Sequence, residues 1–233
     1  MSLPRCVEPE WLDELPADDP RAVRSRRDLK RVNGWMLQTA IMARLLSKHC
    51  GDAPPRAIVE LGAGDGSFML GIARRTASRW PHVTVTFVDR QNIVSERTRQ
   101  GFRALGWKIE TVTADIFDFF KQRARNNFDI VTANLFLHHF ERNELARLLA
   151  GASSLAPLFV ACEPRRSLPA MIASRLLLAI GCNDVSRHDA VVSVRAGFSG
   201  HELSDLWPAT VGWTLHEHAA MPFTHCFVAR QLD

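Results

Sequence analysis

Apolar residues recur at two different periods along this chain. From Trp35 to Leu46, Met36, Leu37, Ala40, Ile41, Ala43 and Leu45 fall at largely helical spacing. Ahead of them, Trp11–Leu15 reads as a short helix. Asp19-Pro20 reads as a cap and a first-position proline for a helix from Arg21, with a bend expected near Gly34. The stretch Cys50-Gly51-Asp52-Ala53-Pro54-Pro55 breaks the pattern. A division is expected there, with residues 1–50 as an N-terminal helical arm or lid and 51–233 as the main domain.

Beyond that break, strands and helices alternate. Strands are expected at 57–61 (AIVEL), 83–89 (VTVTFVD), 107–115 (WKIETVTAD), 128–134 (FDIVTAN) and 158–164 (LFVACEP). Helices are expected between them at Ser67–Ser78, Asn92–Leu105, Phe117–Arg125 and Glu141–Ser153, then at Ser167–Gly181 and near Gly200–Leu206. The last two strands, 212–218 (GWTLHEH) and 223–231 (FTHCFVARQ), lie too close together for a crossover and should pair antiparallel. The fold class is therefore α/β: a doubly wound, seven-stranded sheet, mostly parallel, whose last strand runs against the others.

Composition changes this picture little. At 233 residues, with 46% hydrophobic and 23% charged, the chain can bury a full core, which excludes wholesale disorder. A net charge of +4 concentrates in Arg21–Arg31 (RAVRSRRDLKR), and a solvated helix face accounts for that run. The five cysteines (Cys6, Cys50, Cys162, Cys182, Cys226) show no paired spacing, so reduced thiols, a cytoplasmic location and no metal site are expected. The N-terminus has no signal-peptide core. The apolar run AMIASRLLLAIG is far shorter than the roughly 20 residues of a membrane span; it would pack on the sheet or roof an apolar pocket.

The chemistry gathers at strand ends. AIVELGAGDGSFMLGIA carries glycines at Gly62, Gly64 and Gly66 directly after the first strand, so backbone N–H groups at a helix start can approach a ligand. The dinucleotide pattern G-x-G-x-x-G fails at its third glycine, which is Ser67. Three acids, Glu60, Asp89 and Asp115, close successive strands at the carboxyl edge, where ligands of open α/β sheets bind. Glu60 would repel a pyrophosphate but suits an ammonium. An acid after strand two can take ribose hydroxyls, and one after strand three an adenine amine. These electrostatics favour S-adenosylmethionine over NAD.

VELGAGDGSF, TFVDRQ, VTADIFDF, FDIVTANLFLHHF and FVACEP, in that order and spacing, resemble the successive motifs of class I S-adenosylmethionine-dependent methyltransferases over about residues 56–233. DDPRAVRSRRDLKRVNGWM and HDAVVSVRAGFSGHEL are similar to a narrower bacterial group linked to small-molecule, quinone or polyketide-like substrates. The resemblance implies a Rossmann-like enzyme with S-adenosylmethionine as cofactor. By it, Glu60, Gly62 and Gly64 would meet the methionine moiety, and Asp89, with Arg90 beside it, the ribose. Asp115 and the Ile116 backbone would take adenine. Asn134 would lie by the methionine carboxylate or the transferring methyl.

Methyl transfer is an in-line displacement, so alignment is the enzyme's main task, and a histidine is the usual base if one is needed. His138 and His139 follow strand four, and His188-Asp189 lies between strands five and six; each of these four groups is a candidate base or substrate anchor, or a structural group. The expected partner is a small-molecule acceptor. A nucleic-acid methyltransferase is disfavoured by NLFLHH, which lacks a Pro-Pro-aromatic motif, and by the small net charge. A non-catalytic cofactor-binding protein on the same fold is the other alternative.

Overall fold

The computed structural model describes residues 3–16, 18–122, 127–177, 181–208 and 211–232. Seven strands form one sheet: β1 (Ala57–Leu61), β2 (Thr84–Asp89), β3 (Lys108–Thr113), β4 (Ile130–Asn134), β5 (Leu158–Pro164), β6 (Trp213–Ala220) and β7 (Thr224–Gln231). Their order is β3-β2-β1-β4-β5-β7-β6. The first five are parallel. β7 is antiparallel to both β5 and β6, as the short connection between the last two strands requires.

Helices α1 (Trp11–Glu14), α2 (Pro20–Trp35) and α3 (Gln38–His49) precede the sheet. They are followed by α4 (Ser67–Thr76), α5 (Glu96–Ala104), α6 (Ile116–Gln122), α7 (Arg142–Leu155), α8 (Leu168–Arg175) and α9 (Asp184–Ala196). Strand alternation divides the core into two layers. Ile58, Val85, Phe87, Ile130 and Val160 pack with Met42 and Leu46 of α3, Met69 and Ile72 of α4, and Phe102 of α5. Val59, Leu61, Val88, Val131, Phe159 and Ala161 pack with Phe119 of α6 and Leu145, Leu148 and Leu149 of α7. Each fully buried Leu, Ile or Phe contributes about 1.5–3 kcal/mol, so the layers fix the sheet edge on which the site is built. α3 thus shares the main core, whereas α1 and α2 ride outside it.

Several elements differ from expectation for local reasons. α2 runs through Gly34 to Trp35, and the chain breaks at Leu37, whose φ is +54°. α5 begins at Glu96 because the Ser95 hydroxyl accepts the Thr98 N–H at 3.2 Å. β3 stops at Thr113, so Asp115 does not close the strand; its Oδ1 accepts the Phe117 N–H at 2.8 Å and caps α6. The turn at Ser204–Leu206 is a short 3₁₀ piece. α8 ends at Arg175, and the rest of the expected 167–181 helix lies partly outside the described residues, as does the expected end of α6. α9 is a helix the sequence pattern conceals. Its buried stripe is Val185, Asp189, Val192 and Ala196, and the acid at the second position hides the helical period.

Candidate functional site

The glycine loop leaves β1 with the Gly62 N–H bonded to the Val88 carbonyl at 2.9 Å. Gly62 has a φ of +67°, and a Cβ there would overlap the ring of Phe136. Only glycine meets both conditions. Asp89, at the end of β2, accepts the N–H of Gly64 at 2.8 Å through Oδ2 and that of Gln91 at 2.9 Å through Oδ1. A narrow cleft runs beside this junction, lined by Gly64, Phe87, Asp89, Gln91, Thr111 and Thr113.

Glu60 is only 2% exposed, and its Oε2 has no hydrogen-bond partner among the described residues. Burial, then the nearby charges of Asp65 and Asp89, pushes its carboxyl well above the usual carboxylate range. Glu60 pairs in register with Thr132, so Asn134, two residues on, lies on the same side of the sheet. Its Oδ1 is also buried without a partner. Buried acceptors of this kind are costly unless a donor arrives. A ligand ammonium meets that requirement and would return Glu60 to its charged form, so these residues fit S-adenosylmethionine.

Of the expected cofactor residues, Glu60, Gly62, Gly64, Asp89 and Asn134 gather around this one loop. Asp115 is exposed at the start of α6 and Ile116 is buried in its first turn, just past the cleft-lining Thr113. Arg90 turns toward the N-terminal segment, 3.6 Å from Asp13. Asp65 escaped the sequence reading although it stands inside GAGDGS. It accepts the Ser67 N–H at 3.1 Å and forms an ion pair with Lys30 of α2, so the arm touches the loop. Burial opposes its charge, but the bonds to Lys30 and Ser67 prevail and lower its pKa.

The three candidate histidines all meet the N-terminal segment. The fully buried Glu163 at the end of β5 accepts the N–H groups of Phe136 and Leu137, each at 2.9 Å, and faces His138 Nδ1 at 2.7 Å. Glu10 meets His138 Nε2 at 3.2 Å and is held by the Ser193 hydroxyl. Burial disfavours the His138 imidazolium, yet its bonds to Glu10 and Glu163 outweigh this and raise its pKa to about 9. Glu10 is correspondingly brought down to about 2 against the effect of burial. His139 lies 3.4 Å from Asp13 and is pushed down, first by burial and then by His138. His188 stacks on Trp11 at 3.9 Å between centroids, and its Nδ1 lies 2.9 Å from Asp189 Oδ1. The Asp189 carboxylate also accepts the N–H groups of Trp11 and Leu12. Glu163 and Glu10 were not foreseen, whereas Asp189 stood beside His188 among the candidate groups. An acid at the end of a fifth strand was a visible signal for Glu163; no local pattern marks Glu10.

Residues 3–6 complete the wall. Arg5 donates to the carbonyls of Ala196, His138 and Phe140, Arg166 donates to the Leu3 carbonyl, and Cys6 N–H to that of Arg195. Phe140 makes edge contacts with Phe136 and Phe117, giving this side an aromatic lining.

Residues 58–156, from β1 to the end of α7, match the family model described as a methyltransferase domain. No curated protein sequence matches the chain at a significant level. Among solved structures, an O-methyltransferase family protein from Burkholderia thailandensis is 18% identical, with a TM-score of 0.59 over 93% of this chain. The chain spans 61% of that protein's length. The plantazolicin methyltransferase BpumL, solved in complex with SAH, is 13% identical with a TM-score of 0.64 over 92% of this chain and 91% of its own. Magnesium protoporphyrin IX methyltransferase from Synechocystis PCC 6803, solved with bound SAM, is 12% identical with a TM-score of 0.52 over 95% and 88%. These likenesses bear out the Rossmann-like, mostly parallel fold. The domain match agrees with the expected enzyme class, an S-adenosylmethionine-dependent methyltransferase. Among the described residues, no helix is long and apolar enough to cross a membrane.

Proposed function

We propose that the chain transfers a methyl group from S-adenosylmethionine to a small-molecule acceptor of phenolic, quinone or polyketide-like chemistry, on oxygen or carbon. The observation that carries this reading is the pair of buried, unpartnered acceptors, Glu60 Oε2 and Asn134 Oδ1, beside Asp89 at one glycine loop. When bound, S-adenosylmethionine supplies a methyl already activated by a sulfonium. The residues of the chain bind and align: Glu60 with Gly62, Gly64 and Asn134 at the amino-acid end, Asp89 at the ribose, Asp115 and Ile116 at the base, while Arg90, directed at Asp13, ties the N-terminal segment to the end of β2.

His188 is the best-supported base. With its Nδ1–H donated to Asp189, the other ring nitrogen is left to accept a proton from an acceptor hydroxyl, the arrangement in which a carboxylate fixes the working tautomer. His138, held charged between two carboxylates, suits an anchor, with His139 beside it. Phe117, Phe136 and Phe140 favour a flat, apolar acceptor over a nucleic-acid backbone. Of the expected arm over residues 1–50, α1 and α2 serve as the lid that excludes water from the reacting carbon, while α3 belongs to the core of the main domain. The SAH and SAM bound in two of the similar structures support the cofactor part of this reading by analogy.

Calorimetry with S-adenosylmethionine, followed by a methyl-transfer assay on a panel of phenols and hydroxyquinones, tests the proposal. Saturable binding with transfer to at least one acceptor is expected. Absence of cofactor binding overturns it, and binding without transfer favours the non-catalytic alternative.

A further inference from the structure

We propose that Glu10, His138 and His139 form a binding site for one divalent transition cation of the zinc class. One ligand atom from each lies within 4.8 Å of the others, two of the three residues being buried. Nitrogen and oxygen ligands around such an ion sit about 2.0–2.2 Å from it, so side-chain shifts of roughly an ångström close the set. Two imidazoles and a carboxylate match a borderline cation better than calcium or magnesium, which favour oxygen alone. This departs from the expectation of no metal site, which rested on the cysteine spacing alone; a site of two imidazoles and a carboxylate uses no sulfur.

The surroundings point the same way. Glu163 Oε2 lies 2.7 Å from His138 Nδ1, so that nitrogen donates and the lone pair is left on Nε2, the atom facing Glu10. A carboxylate behind a ligating imidazole fixes its tautomer and strengthens its basicity. Asp13 lies 3.4 Å from His139 Nδ1 and adds a second carboxylate beside the cluster.

Bound there, the ion would tie the N-terminal segment to the turn after β4.

The test uses the full chain, stripped of metal with a chelator. Cobalt(II) is titrated by absorption spectroscopy and zinc by competition with a chelating dye. One equivalent of saturable binding is expected, with Glu10→Gln and His139→Ala each weakening it at least tenfold. Glu163→Gln, acting through His138, should weaken it by about 10–100-fold while circular dichroism stays unchanged. His49 and His216 form a separate imidazole pair, with ring centroids 5.1 Å apart, so His216→Ala serves as the control and should leave binding intact. Should the site variants fail to fold, zinc-edge X-ray absorption on the unaltered chain reads the ligands directly and should show scattering from two imidazoles. No saturable binding, binding that ignores Glu10→Gln and His139→Ala, loss in His216→Ala, or a zinc-edge spectrum without two imidazoles overturns the proposal.

Discussion

Asp89 Oδ2 accepts the Gly64 N–H at 2.8 Å, so the carboxylate offered to a ligand at the end of β2 also holds the glycine loop in shape. Two effects of its removal can therefore be separated. Asp89→Asn keeps an acceptor for the loop, while Asp89→Ala removes both the acceptor and the charge. Asp89→Ala should weaken S-adenosylhomocysteine binding by about 1–3 kcal/mol, the usual cost of charge-assisted hydrogen bonds, and Asp89→Asn by less. Calorimetry decides it; an unchanged dissociation constant in the alanine variant removes Asp89 from the ribose site.

Gly62 and Phe136 make a second coupled pair. Gly62→Ala brings both a left-handed backbone strain and an overlap with the Phe136 ring, and should cost about 2–4 kcal/mol of stability. Part of that cost belongs to the ring. In a double-mutant cycle, Phe136→Ala should return the overlap part when combined with Gly62→Ala but not the strain. Strict additivity in urea unfolding would show that the two residues do not press on each other.

Glu60 gives a pH dependence of defined sign. Its folded pKa lies above the ordinary value of 4.5, so between the two values the folded state binds more protons than the unfolded one. Stability without ligand is then full below that ordinary value and declines as pH rises through the folded one. Glu60→Gln removes the decline, so its stability advantage over the unaltered protein should grow from pH 5 to pH 8. S-adenosylhomocysteine should restore the unaltered protein far more than the variant. Thermal melts at the two pH values, with and without ligand, read both effects, and a pH-independent difference would contradict the orphaned carboxyl.

His188 is distinguishable from the other histidines by kinetics. If it takes the acceptor proton, His188→Ala should lower kcat by about 10²–10⁴-fold, with a small change in the KM for S-adenosylmethionine. Because its ring stacks on Trp11, His188→Phe should keep the packing and lose the activity alike. Full activity in His188→Phe would leave stacking as the residue's whole role.

The sheet was readable because β-branched runs alternate with glycine turns and helical periods, and neither signal depends on distant residues. Glu60 and Asp89 were readable for the same reason: Glu60 is the last residue but one of β1 and Asp89 the last of β2, both runs with clear edges. Asp115 was read as a strand end because VTAD continues the alternation, yet its hydrogen bond to Phe117 makes it the cap of the next helix. The acceptor side was opaque. Glu10 reaches His138 across 128 positions and Trp11 reaches Asp189 across 178, and nothing local announces either meeting. Asp189 hid α9 as well, because its carboxylate binds the start of α1 where an apolar residue would have completed the stripe.

The anchoring of Leu3 to Arg166, and of Arg5 to Ala196, sets an order of assembly. During synthesis, residues 3–14 leave the ribosome ahead of every group that will hold them. They stay loose until β5 and α9 have emerged and docked. The wall over the histidines therefore closes only once β5 and α9 stand in place.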